Sequence, residues 1–371
     1  MNETFINISK IIERDSKNTT YKFALLRGTI DTILDNSPFI NAIGDHVEIP
    51  LGLLIEKWII YYYPILDSKV SIPQIHGANN KIAFQNEFLP IIHFYNQFGG
   101  LSALYNDLRV KGISPTIQHE FLALVRKLKD TITKMPMRYI GGSIVDSHYS
   151  IFKVLSNANL RQTTLQNAHW LVDSCGTYTI PKAYYEAFKV LGSFVSGTDN
   201  ILFKWAEFSV NASNSLVDTS TVIHHILKSP ITERDVAVAK NLYKTILKDK
   251  GKINCVWTGD TISNYDVDHV IPFSVWKNND LWNLLPAKPS INNSKRNKIP
   301  AANLLMKQKQ PIIHYWETIY MAQPQRFMQE MQITLLGNNT THNNWQHTAF
   351  NQLLNTSKYL IETRGFTEWK L

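Results

Sequence analysis

Residues Asn254–Pro300 read NCVWTGDTISNYDVDHVIPFSVWKNNDLWNLLPAKPSINNSKRNKIP. An adjacent carboxylate and imidazole, Asp268-His269, open its polar set. Asn283 follows fourteen residues after the histidine, Asn292 twenty-three after it, and Lys295 and Arg296 close the run. A neutral imidazole, with an ordinary pKa of about 6.5, can take a proton from water at neutral pH, which makes His269 the candidate general base. Asp268 is the candidate anionic metal ligand, with a neutral oxygen donor beside it from one of the carboxamides Asn292, Asn293 and Asn297. Few protein ligands leave room for waters and phosphate oxygens, which is how Mg2+ is usually held. The set therefore suits one hard metal ion held against a phosphodiester, with a water deprotonated next to it. Mg2+ is the expected cofactor, with Mn2+ able to substitute. One tension stands in the sequence. Neighbouring strand residues face opposite ways, so Asp268 and His269 converge on one phosphate only if the strand ends or bends there. Pro272 lies close enough to end it.

On these residues the stretch resembles the HNH nucleases, the ββα-metal or His-Me finger family. Within that family it is similar to the subgroup with a D-H-x-x-P core, here Asp268 to Pro272. That subgroup includes restriction-type nucleases and the HNH lobe of RNA-guided CRISPR effectors. The resemblance implies a strand-strand-helix core. It selects Asn292 over Asn293 and Asn297 as the second metal ligand. It gives Asn283 a part in orienting the loop or the histidine rather than in binding metal. The activity it implies is metal-dependent endonuclease hydrolysis of DNA, in a restriction or anti-phage setting. The alternatives are a homing-type endonuclease, or a nuclease or nucleic-acid-binding subunit of a multi-protein defence system. A reason independent of the family supports the spacing. Asn292, Lys295 and Arg296 fall at i, i+3 and i+4 of one expected helix and so share a face.

The charge distribution fits a polyanionic partner. Net charge is +8, and from Leu281 to Trp316 there are six Lys/Arg and no Asp/Glu. Lys288, Lys295, Arg296 and Lys298 are the expected DNA contacts. Trp257, Trp276 and Trp282 frame the motif and read as core aromatics of a small fold. Two cysteines, Cys175 and Cys255, cannot build a disulfide framework, and Cys255 has no nearby cysteine partner, so no structural zinc is expected. The N-terminus lacks a signal-peptide pattern, and the apolar run Ile59–Leu66 is too short to span a bilayer. A cytoplasmic chain without a membrane partner is expected. Its partners would be DNA and either a second copy or a defence-system protein.

At 371 residues and 44% hydrophobic content the chain can bury two cores. Helical spacing predicts helices over Tyr21–Leu34 with Thr20 as N-cap, Leu51–Tyr63 ended by Pro64, Ile117–Ile132 and Ala183–Val195. Ile201–Val210 reads equally as strand or helix. The polar stretch Asn211–Pro230 is the expected boundary. A helical domain over 1–230, for recognition, dimerisation or partner docking, would precede a nuclease domain over 231–371. In that second part, Thr232 is the expected N-cap of a helix from Val236 to about Gly251. Strands follow over Asn254–Trp257 and Val267–Phe273, then a helix over Ile291–Lys298 capped by Ser290, then two or three helices from Gln310 onward. The fold class expected is mainly α, with a small ββα-metal core and flanking helices.

Overall fold

The structure, a computed structural model, describes residues 17–76, 81–140, 150–156, 160–161, 165–196, 201–231, 233–338 and 344–371, with residues 4, 6–8, 10–11 and 15 ahead of them. Thr232, the expected helix cap, lies outside the described residues. The chain is mainly helical and divides into two compact units, Met1–Pro230 and Ile231–Leu371.

The first unit is organised around the helix Leu51–Leu66, whose Leu54, Ile55, Trp58, Ile59 and Tyr62 are wholly buried. Its apolar residues run all round, as a core helix requires. Pro64 sits inside the last turn rather than after it, so the helix runs three residues past the expected end. A proline there forfeits only one late hydrogen bond. The helix Tyr21–Leu34 packs against it at Gly28, where an added Cβ would come within 2.5 Å of Leu54 Cδ1. Thr20 precedes that helix but does not cap it; its hydroxyl is 2.9 Å from the Tyr62 hydroxyl. Helices Gln118–Lys134, Lys182–Ser196 and Ile201–Ala212 complete the layer, the last resolving the strand-or-helix ambiguity. An antiparallel sheet not expected from the sequence joins Asn41–Ile43, His46–Pro50, Thr177–Pro181 and Lys153–Val154, in the order 1-2-4-3 by chain position among those four. Its strands run two to five residues, too short to carry a period-2 signal.

The second unit has its own core, built on Tyr243, Trp257, Trp282, Leu285, Trp316 and Phe350. Helix Ala237–Lys250 ends at Gly251, whose φ of +67° suits glycine. The central strand is Asp266–His269, and it pairs antiparallel with Leu284–Ala287, His269 opposite Leu284 and Asp266 opposite Ala287. Helix Pro289–Lys295 follows at once. This is the strand-strand-helix order, but only the first of its two strands overlaps an expected one, and the second, Leu284–Ala287, was not expected. Ile253–Asn254 pairs with Thr261–Ile262, and Cys255–Gly259 is a turn. The strand Asp266–His269 stops four residues short of Phe273, because Pro272 starts the short helix Phe273–Trp276. The second strand of the core contains Pro286, which by composition argues against a strand. It survives because the strand uses Pro286 as an acceptor: Val256 N–H donates to its carbonyl at 2.9 Å.

The short helix also differs from expectation. Lys288, not Ser290, holds the cap position, with Pro289 in the first turn. It ends at Lys295 because Arg296 has φ +51°. Arg296 therefore leaves the face that Asn292 and Lys295 share. The C-terminal helices Lys309–Ala322, Pro324–Met331 and Trp345–Lys358 brace the core from behind. Trp316 donates to the Trp282 carbonyl at 2.8 Å. Glu368–Trp369 adds a short parallel strand to Ile299–Pro300, placing Trp369 edge-on to Trp257 at 5.2 Å.

Candidate active site

Strand alternation sorts the motif into two faces. Asp266 and Asp268 look one way, Val267 and His269 the other. The strand does not bend to bring Asp268 and His269 together. Each side chain instead meets its own set of partners.

The Asp268 face lies against helix Pro289–Lys295. Lys295 donates to Asp268 Oδ1 at 3.0 Å, and Trp257 Nε1 donates to Oδ2 at 2.7 Å. One turn back along the helix, Asn292 Nδ2 donates to Asp266 Oδ2 at 3.0 Å. Two strand residues of one face are thus matched by two helix residues three apart. The Lys295 ammonium also donates to the His269 carbonyl, tying the histidine's backbone to the same helix. Lys295 is 0% exposed and Asp268 3%. Burial pulls the lysine's pKa down, and the Asp268 charge opposes that. Lys295 is therefore not the surface phosphate contact expected from the charge run: its ammonium is spent on Asp268 and His269. Lys288 and Arg296 are exposed and Lys298 is half-buried, so these three keep surface positions.

The His269 face meets the loop before Asn283. His269 Nε2 is 3.2 Å from Asn279 Oδ1. The carboxamide's orientation is set from its other side, where Nδ2 donates to the Glu233 carbonyl at 3.0 Å and Oδ1 accepts from Asp235 N–H at 3.2 Å. An oxygen facing Nε2 can only accept, so Nε2 carries the proton. Nδ1 then holds the lone pair, and it is buried with no protein partner. Burial, followed by the Arg234 charge, lowers the His269 pKa to about 4, with the Asn279 bond opposing and Lys295 adding a smaller push. The ring is neutral at pH 7.

Asn283 is fully buried and brackets one residue: its Oδ1 accepts from Ile271 N–H at 2.8 Å, and its Nδ2 donates to the Ile271 carbonyl at 3.0 Å. Its own carbonyl accepts from Val270 N–H at 2.8 Å. The two residues after His269 are thereby clamped to the residue that leads into the second strand.

Four residues of this constellation were not read from sequence as part of the site. Asp266 could have been, since Asp-x-Asp on a strand puts two carboxylates on one face. Trp257 reads as core, and it is fully buried, yet its indole also orients Asp268. Asn279 and Arg234 carry no local signal, because the contacts that matter span 10 and 33 residues. Cys255 accepts from Lys288 N–H at 3.3 Å.

For a metal, the candidate donors are Asp266, Asp268 and the Asn292 carboxamide, all oxygens, the type that suits a hard divalent cation. Each Asp268 oxygen carries one hydrogen bond and retains acceptor capacity. Asp266 is half-buried and reachable. Among the described residues no three His, Cys, Asp or Glu side chains cluster tightly enough for an all-protein cage. A site of few protein ligands fits these residues.

A small strand-strand-helix core with an Asp-His pair on its first strand defines a nuclease-type site. Residues 255–301 match the family model described as HNH endonuclease, a domain that acts on nucleic acid and generally uses a divalent metal ion. Residues 1–226 match a model described as Domain of unknown function (DUF8808). That match spans more than half of the chain, which therefore belongs to the DUF8808 family and carries an HNH endonuclease domain in its second unit. Comparison with curated proteins and with solved structures finds no match. No helix among the described residues is long and apolar enough to cross a membrane.

Proposed function

We propose that the chain is a metal-dependent endonuclease that hydrolyses DNA phosphodiester bonds, with His269 as general base. The observation that carries this reading is the unpartnered Nδ1 lone pair, held on a neutral ring by the Asn279 bond to Nε2. A lone pair so placed is not engaged by the protein and can accept a proton from a water that the bound substrate brings to it. As the water oxygen bonds to phosphorus, its proton passes to Nδ1. The P–O3′ bond breaks, and the leaving oxygen takes a proton from solvent. The strand ends at His269, so one phosphate can meet both faces there; Asp266, Asp268 and Asn292 would hold Mg2+ or Mn2+, and a cation so held would offset charge building on the leaving and non-bridging oxygens. Asn283 acts as a positioning residue through Ile271. Lys288, Arg296 and Lys298 supply phosphate contacts around the site.

A restriction or anti-phage setting follows from the resemblance to restriction-type nucleases, and from the large helical unit beside a core too small to choose a site by itself. Residues 1–230 would serve recognition, dimerisation or docking of a defence partner. One observation favours a second reading, a nucleic-acid clamp that has kept the fold: both Asp268 oxygens are already engaged. Plasmid nicking decides between them. Wild type should nick supercoiled DNA in Mg2+ and not in EDTA. His269→Ala should lose about 10²–10⁴-fold with DNA binding intact. Nicking by His269→Ala at the wild-type rate would remove the base assignment.

A further inference from the structure

We propose that Arg234 is a substrate contact of the same site, its guanidinium binding a non-bridging oxygen of the phosphodiester under attack; this rests on the nuclease reading above. Arg234 lies outside the stretch matched to HNH endonuclease, twenty-one residues before its start. Three observations place it at the chemistry.

The first is its bond to the strand. Arg234 Nη2 donates to the Val267 carbonyl at 2.8 Å, on the strand that ends in His269. The second is the way its backbone is held. Asn279 accepts from Asp235 N–H and donates to the Glu233 carbonyl, gripping the residues on both sides of Arg234. The same carboxamide oxygen meets His269 Nε2. One side chain thus sets both the histidine's ring and the arginine's position. The third is charge. Arg234 is exposed and, among the described residues, forms no ion pair. Of the acids flanking it, Asp235 turns its carboxylate to the start of the next helix, where Oδ1 accepts from Ala237 N–H at 2.8 Å. Arg234 is close enough to His269 and Lys295 for its charge to act on both.

A cation whose charge reaches a histidine and a buried lysine, and which forms no ion pair among the described residues, calls for an anion from outside. A guanidinium has five N–H donors, and one bond to Val267 leaves a fork free for phosphate oxygens. Because one edge is anchored on the histidine's own strand, the free edge needs little further ordering to meet a phosphate.

The test uses the full-length chain. Supercoiled plasmid nicking in Mg2+ compares wild type, Arg234→Ala and Arg234→Lys. A 30-base-pair duplex, titrated across KCl concentrations, measures binding in His269→Ala and in His269→Ala/Arg234→Ala. Arg234→Ala should lower the nicking rate by about 10²-fold, with Arg234→Lys recovering part of the loss, since charge returns without the fork. Removing the arginine should reduce the slope of log K against log salt by about one. A merely structural bond to Val267 would leave that slope unchanged. Arg234→Lys keeps a donor for Val267 and covers the case in which the alanine variant fails to fold. If wild type nicks and Arg234→Ala nicks equally well with an unchanged slope, the inference is overturned and the nuclease reading stands. If wild type does not nick, the nuclease reading fails, and an unchanged salt slope then removes the phosphate contact too.

Discussion

The Lys295 ammonium lies 3.0 Å from the Asp268 carboxylate, and both side chains are buried. This pair joins the short helix to the first strand of the nuclease core, and through the His269 carbonyl it reaches the backbone of the proposed base. It makes the lysine an internal brace where the charge run suggested a phosphate contact. A buried pair contributes little net stability when intact, but it is costly to break from one side.

Lys295→Met should therefore destabilise the second unit by about 3–5 kcal/mol, because Asp268 is left as an uncompensated buried charge. Asp268→Asn/Lys295→Met should recover much of that loss. Urea unfolding measures both. A Lys295→Met variant as stable as wild type, with a reduced salt slope for DNA binding, would return the lysine to the surface role.

Asn279 has no part in the HNH-type motif, yet it assigns the proton on His269. Asn279→Ala frees the ring and loosens the Glu233–Asp235 backbone. Nicking should fall by about 10–100-fold, as for other residues that orient a reacting group. Binding to a duplex in the absence of metal should change far less. Unaltered nicking would mean that the ring is oriented by something else.

Asp266 and Asn292 sit on the accessible side of the metal donor set, with Asp268 behind them. Asp266→Asn and Asn292→Ala should each raise the Mg2+ needed for half-maximal nicking by about tenfold or more. Direct Mn2+ binding, followed by electron paramagnetic resonance in the His269→Ala background, gives a readout without turnover. If Asp266→Asn binds Mn2+ like wild type and Asp268→Asn does not, the cation rests on Asp268 without Asp266.

Glu330 makes the stability of the second unit depend on pH. Its Oε2 accepts from Leu281 N–H at 2.6 Å, and its Oε1 from Arg326 at 2.7 Å. Burial, then the neighbouring Asp280 charge, push its carboxyl from the ordinary 4.5 up to about 7, against the pull of Arg326. A carboxyl with a raised folded pKa holds its proton better folded than unfolded. Its contribution is therefore most favourable below about 4.5 and is lost as pH rises through about 7. Glu330→Gln lacks this titration. Its unfolding free energy relative to wild type should rise in the variant's favour between about pH 5 and about pH 8. A difference that stays flat with pH in urea melts contradicts the assignment.

Much of the helical frame is legible in the sequence, because a 3.6-residue period repeats over several turns: Tyr21–Leu34 is helical over the whole span the spacing predicts. The short elements are not legible. Strands of two to four residues contain too few side chains to display alternation, and Leu284–Ala287 hides behind its proline. Helix ends depend on single backbone angles, such as the positive φ of Arg296.

For the candidate site, the sequence by itself determined the chemistry-bearing types: an Asp-His pair, carboxamides at fixed offsets, and cations on the following helix. Residue identity and spacing reveal those without coordinates. Only the tertiary structure decided what each group touches. Strand alternation turns Asp268 toward Trp257 and Lys295 and turns His269 toward Asn279. Which nitrogen of His269 is left without a partner, which lysine is buried, and which arginine bonds the histidine's strand all depend on contacts between residues outside the motif's own spacing. Such contacts are selected by packing of the whole unit, and neither helical nor strand spacing pairs the partners in sequence.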